Sequence, residues 1–244
     1  MLLLAAAVGV WWLVALLVQS SVLPDPATAV TRLVHNLGSS RFLGSLAGTL
    51  ARLAVAYLAV VVIGGAVGFA LGLSRFWTDA ISPLVYTLYS IPKVVLFPLF
   101  LVFLGLGGAS QIGFAIFSGI LPMILMMAHA AAGVPRLPLK LAASLRMGRV
   151  AVLRTIAVPS VLPAFTSALR LTFGLTFLSL LIVEMFSGVS GLGYELLRTI
   201  PLARMGDIVG MTILVVAVAL APVSVLRVIE QRVNRRFGES KEIS

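Results

Sequence analysis

A basic, acid-free segment set between two apolar ones limits what this chain can become. It runs from Pro135 to Pro163, PRLPLKLAASLRMGRVAVLRTIAVPSVLP, and carries Arg136, Lys140, Arg146, Arg149 and Arg154 without an Asp or Glu. The flanking segments, Gln111 to Val134 and Val161 to Val183, are each long and apolar enough to cross a bilayer. The basic segment is therefore a loop between two spans, and its excess of Lys and Arg puts it on the cytoplasmic side. A few residues would suffice to turn the chain around. This loop has room for two short helices with Gly148 between them, which makes it more than a connector.

Of the 244 residues, 60% are hydrophobic and 11% charged, which leaves no large soluble domain and fits an all-α polytopic membrane protein. The chain reads as one transmembrane domain, 1–244, with the loop 135–159 inside it. A net charge of +10 would point to nucleic acid in a soluble protein. Here most cations lie beside spans, where they orient the chain and meet anionic lipid, so the bilayer and not nucleic acid is the expected partner. Cys is absent, which excludes disulfides, thiol nucleophiles and thiolate metal sites.

Six stretches read as spans: Leu2 to Val18, Leu46 to Leu73, Ala80 to Leu104, Ile112 to Val134, Val161 to Val183 and Ile208 to Val228. The first lacks the basic n-region and small-residue cleavage site of a signal peptide and is read as a retained helix. With the basic loop inside, both termini are cytoplasmic, as is the Ser74 to Asp79 turn. The tail residues Arg227, Arg232, Arg235, Arg236 and Lys241 agree. On the outer side, Asp25 and Pro26 predict a capped helix start. Val30, Leu33, Val34 and Leu37 then fall at helical spacing, as on a helix lying along the membrane surface.

Gly64, Gly68 and Gly72 form a smooth stripe for close helix approach. Pro83, Pro92 and Pro98 are expected to break the third span and Pro122 the fourth. Arg52, Lys93, Arg170 and Glu184 lie within or at the ends of apolar stretches, where each would cost several kcal/mol facing lipid. Arg52 and Glu184 stand at similar depth and are expected to pair; Arg170 lies nearer the cytoplasmic side. Lys93, near the middle of the third span, has no evident acid. It is free for an anionic ligand, or for carbonyls released by Pro92.

Other chemistry is mostly excluded. His35 and His129 stand alone, without the neighbours a metal site needs. Gly188 to Gly193 is glycine-rich but lacks the Lys-Ser/Thr of a phosphate loop. No paired carboxylates or Ser/His/Asp set suggests an enzyme.

LAASLRMGRVAVLRTIAVPSVLP resembles the EAA loop of ABC importer permeases, the element that docks into a cleft on the ATPase subunit. The likeness continues through LPDP, GTLARLAVAYLAVVVIGGAVGFALGLSRF, IPKVVLFPLFLVFLGLG and IVEMFSGVSGLGYEL, in the order of the nitrate/sulfonate/taurine branch, and covers nearly the whole chain. Counting back from Val158-Pro159, Lys140 stands where the family usually has Glu and Arg146 where it usually has Gly, with Gly148 two residues later. These departures fall on the docking contacts and the turn.

The resemblance implies a type I importer permease of six transmembrane helices with a cytoplasmic coupling helix, in the bacterial inner membrane. A separate ABC ATPase dimer would bind ATP and Mg, and this chain would bind no cofactor. A second permease chain, as a homodimer, and an extracytoplasmic substrate-binding protein would complete the assembly. Lys140, Ala142, Ala143, Arg146, Gly148, Arg149 and Leu153 would couple to the ATPase, with Val150, Leu153 and Ile156 as one packed side. Lys93, Pro92 and Glu184 are assigned to the path of a small, anionic solute, and Arg52 and Arg170 to structural charges. A secondary carrier or channel would also need kinked spans but usually shows two related halves, and no internal repeat or second basic loop is present. A scaffold that docks a cytoplasmic protein would leave Lys93 and the prolines unexplained.

Overall fold

A computed structural model describes residues 2–18, 23–187 and 190–237. Lys241 of the basic tail and Gly188 and Val189 of the glycine-rich loop lie outside the described residues. Within them the chain is helical, without strands. α1 (Leu2–Val18) is followed by α2 (Pro26–Leu37) and a 33-residue helix, Ser40–Gly72, made of α3 (Ser40–Ala59), a π turn at Val60–Gly64 and α4 (Gly65–Gly72). α5 (Arg75–Ser90) leads through a 3-10 turn, Lys93–Leu96, to α6 (Phe97–Leu104) and then α7 (Gly108–Ala132). α8 (Arg136–Ser144) precedes a 39-residue helix, Arg149–Ser187, comprising α9 (Arg149–Val152), a π turn at Leu153–Ala157 and α10 (Val158–Ser187). α11 (Leu192–Thr199) and α12 (Met205–Phe237) complete the order.

Four helices are long and apolar enough to cross a membrane: Ser40–Gly72, Gly108–Ala132, Arg149–Ser187 and Met205–Phe237. The expected third span is not straight, because Arg75–Ser90 and Lys93–Leu104 meet at 87°. Pro92 is the cause. It drives the preceding Ile91 into extended backbone (φ −68°, ψ 133°), which ends α5. Pro98 instead sits in the first turn of α6, where its missing N–H costs nothing, and Pro83 and Pro122 lie inside unbroken helices. The count of six thus becomes four full spans, one bent pair and the shorter apolar α1.

α7 is the central helix. Buried residues make up 56% of its apolar window, against 11% for α12, which is peripheral. Leu53 and Ala56 of α3, Phe97 of α6, Phe114 of α7 and Phe173, Phe177 and Leu180 of α10 form the main core. Phe114 receives Phe97 and Phe100 edge-on, each at 5.4 Å between centroids. The glycine stripe does what its spacing predicts. A Cβ on Gly68 or Gly72 would collide with the backbone carbonyls of Ile124 and Ala128, so α4 rests directly on the α7 backbone.

Asp25 caps α2 as expected, accepting from the Thr28 N–H at 2.9 Å, with Pro26 in the first turn. That bond holds the Asp25 carboxyl below the usual carboxylate range. The packed stripe differs from the expected one. Ala29 is buried and Leu33, Asn36 and Leu37 are half-buried, while Val30 and Val34 stay exposed. Gly210 of α12 lets the Ala29 carbonyl approach so closely that a Cβ there would lie 2.7 Å from it, and Asn36 donates to Asp207 at 3.3 Å. α2 is therefore docked on α12 and not merely laid on a surface.

Candidate functional site

Three groups of residues stand out: a basic turn at one end, a cation at the helix break, and a buried carboxylate at the other end. In the first, the backbone of α8 closes with the Arg146 N–H donating to Ala143 O and the Met147 N–H to Ala142 O, both at 3.0 Å. That pair of bonds is a Schellman cap, whose C′ residue must be left-handed. Arg146 occupies it, at φ +50°. Gly148, expected to lie between two short helices, is extended (φ −66°, ψ 153°) and starts the second one. The second helix is not short either. It runs on from Arg149 to Ser187, so the fifth span begins 12 residues before the expected Val161.

Ala142 and Ala157 are buried and fix this element to the body. Leu137, Leu141 and Leu145, one helical face at i, i+4 and i+8, are 70%, 56% and 74% exposed. Lys140, Ala143, Arg146 and Arg149 are exposed beside them. Of the expected packed side, Leu153 and Ile156 are half-buried, whereas Val150, in the first turn of the helix, is exposed. An exposed leucine row rimmed by cations, with no acid of its own, suits a cleft with an apolar floor and acidic edges. The leucine row was available in the sequence as a spacing of four.

Lys93 sits at the 87° break, half-buried, with its Nζ 4.1 Å from the centroid of the Tyr89 ring. Pro92 is exposed beside it. Among the described residues no carboxylate pairs with this ammonium.

At the other end, Glu184 has no accessible surface and is held from several elements. Thr49 Oγ1 lies 2.8 and 2.9 Å from its two oxygens, the Gly193 N–H donates at 3.1 Å, and Arg52 Nη2 stands 3.2 Å from Oε1. That last approach is an ion pair without hydrogen-bond alignment. Arg52 makes its aligned bonds elsewhere, from Nη1 to Gln111 Oε1 at 2.6 Å and to Ser190 Oγ at 3.2 Å, and from Nε to Gly48 O at 3.0 Å. Gln111 in turn donates to Ser187. Gly191, at φ +120°, leaves room for the carboxylate that a Cβ would strike. The sequence puts Glu184 on a path and Arg52 among structural charges; the structure joins the two and closes Glu184 inside the protein. A neighbouring Glu195 accepts from Arg41 and Ser45, both at 3.2 Å, so two acids hold the segment from Ser190 through α11 against α3.

Arg170 pairs with Glu230 of α12 at 2.7 Å, and Ser167 donates to the same carboxylate at 2.6 Å. No sequence signal tied Arg170 to an acid 60 residues away. Among the described residues no three His, Asp or Glu side chains gather closely enough to share a metal ion.

The chain is 28% identical to the taurine transport system permease protein TauC of Escherichia coli over 198 residues, spanning 78% of this chain and 72% of that one. It is 26% identical to the nitrate import permease protein NrtB of Synechococcus elongatus (76% and 70% covered) and 23% identical to the putative aliphatic sulfonates transport permease protein SsuC of Bacillus subtilis (95% and 85%). Among solved structures it resembles the inward-facing MetNI methionine ABC transporter, with a TM-score of 0.63 at 21% identity over 80% of this chain and 95% of that one, which is a likeness of fold. The family described as binding-protein-dependent transport system inner membrane component matches residues 60–239. With that match over most of its length, the chain belongs to this family and is the transmembrane permease subunit of an ABC importer.

Proposed function

We propose that this permease carries a small anion through the bacterial cytoplasmic membrane along a path headed by Lys93 and Pro92. The observation that carries the reading is the Lys93 ammonium at the broken span, left without a carboxylate. A lone cation at membrane depth persists when water, carbonyls or a ligand satisfies it. Relatives named for taurine, nitrate and aliphatic sulfonates point to the same charge.

Transport is powered from outside the chain. A separate ATPase dimer binds ATP and Mg, and this chain binds no cofactor. One ATPase subunit receives the leucine row of α8, with Lys140, Ala143, Arg146 and Arg149 at the rim, while Ala142, Gly148 and Leu153 set the shape of the turn. Residues 1–244 act as a single domain, with the basic turn and both termini in the cytoplasm. Two copies form the path, and an extracytoplasmic binding protein delivers the solute to the end held by Glu184 and Arg52. Glu184 serves the path by fixing Ser190–Gly193, not by meeting substrate.

The test is co-expression with candidate ABC ATPase and binding-protein partners from the same genome. Copurification of a two-to-two complex, with ATP hydrolysis stimulated by loaded binding protein, is expected. A permease that transports without ATP, or that binds no ATPase, contradicts the proposal.

A further inference from the structure

Resting on that path, the structure carries a more specific assignment. A wide-open depression lies beside α5, α7 and α10, lined by Tyr86, Tyr89, Pro122, Met126, His129 and Leu171. Tyr86 and Tyr89, three residues apart on α5, share one helix face, and from beyond the break the Lys93 ammonium lies over the Tyr89 ring that walls the depression. Tyr86 and Tyr89 are 50% and 38% exposed, so both rings present surface to an occupant. Among the described residues neither hydroxyl has a hydrogen-bond partner in the protein. His129 has its Nδ1 2.7 Å from Leu125 O; a carbonyl only accepts, so Nδ1 carries the proton and Nε2 is left free.

His129 also lines two further cavities toward the basic end. One, of about 450 Å³, holds Arg75 and Asp79; the other, of about 310 Å³, holds Pro135, Pro159 and Arg236. His129 is thus shared by all three depressions, one beside Lys93 and the others beside Arg75 and Arg236, and Asp79 is the one acid among the residues that line them. We infer that Tyr86, Tyr89 and His129 form, with Lys93, a substrate chamber in the permease itself, built for an anion with a short carbon body and not for a bare oxoanion.

The chemistry of the walls decides the class. A bare oxoanion would leave the two ring faces, Pro122 and Leu171 without an apolar partner. The ammonium takes the charge, the tyrosine hydroxyls donate to its oxygens, and the ring faces, Pro122 and Leu171 take the carbon. Each methylene buried there is worth roughly fourfold in affinity.

The experiment is equilibrium binding of radiolabelled butanesulfonate to the purified permease–ATPase complex without binding protein, with methanesulfonate and nitrate as competitors. Wild-type complex should bind, with butanesulfonate competing best and nitrate worst. Tyr89→Phe, which keeps the ring, should bind within a fewfold of wild type, whereas Tyr89→Ala and Tyr86→Ala should lose roughly tenfold or more. Copurified ATPase reports that each variant still folds. If nitrate competes as well as butanesulfonate, or the tyrosine variants bind normally while Lys93→Met does not, the chamber is refuted and the Lys93 path survives. Normal binding and normal uptake by Lys93→Met would overturn both, and no binding to wild type would overturn the chamber.

Discussion

Thr49 and Glu184, 135 residues apart, meet through a single hydroxyl: Thr49 Oγ1 bonds the Glu184 carboxylate at 2.8 Å and accepts the Leu192 N–H at 2.8 Å. The same acid thus ties α3, α10 and the start of α11 to one another. Glu184→Ala should leave the mostly buried Arg52 without its carboxylate, at up to about 3–5 kcal/mol. Glu184→Gln keeps the shape and should lose less. Thermal unfolding of the detergent-solubilised protein checks the order; equal melting of the two variants would contradict it.

Arg146 holds a left-handed C′ position that suits glycine. A non-glycine residue there costs roughly 1–2 kcal/mol, so Arg146→Gly should raise stability by up to about that amount if the side chain contributes nothing else to the folded state. Denaturation of purified permease measures this. Its effect on ATPase binding is a separate reading, since the same change removes a rim cation.

The leucine row supplies the apolar part of the proposed ATPase contact and Arg149 part of the charge. Leu141→Glu should abolish copurification of the ATPase. Arg149→Glu should weaken it in a salt-dependent way, because a rim charge acts mainly on encounter. Both side chains are exposed, so the permease itself should express at its normal level.

Much of this arrangement was legible in the residues. Asp25-Pro26 announced the cap of α2, the four-residue glycine spacing announced the α4–α7 contact, and depth alone matched Arg52 with Glu184. Pro92 announced an interruption but not its 87° angle, which depends on where α6 finds Phe114. Arg146 concealed a left-handed turn, because the usual marker is glycine. The docked face of α2 was misjudged since Asn36 packs inward through Asp207, a partner far along the chain. Tyr86, Tyr89 and His129 carried no local signal at all. They become a site only when α5 and α7 bring Tyr86 and His129 within 6.1 Å.

The most direct measurement is ATP-dependent uptake of taurine, butanesulfonate and nitrate into proteoliposomes holding permease, ATPase and binding protein, with Lys93→Met beside wild type. Removing a charge-assisted contact from the path costs about 1.5–3 kcal/mol, or roughly tenfold to a hundredfold in rate. The account predicts that wild type accumulates at least one of these anions and that Lys93→Met loses its uptake to that degree while ATPase assembly stays intact. Uptake by Lys93→Met equal to wild type, with assembly intact, would contradict it.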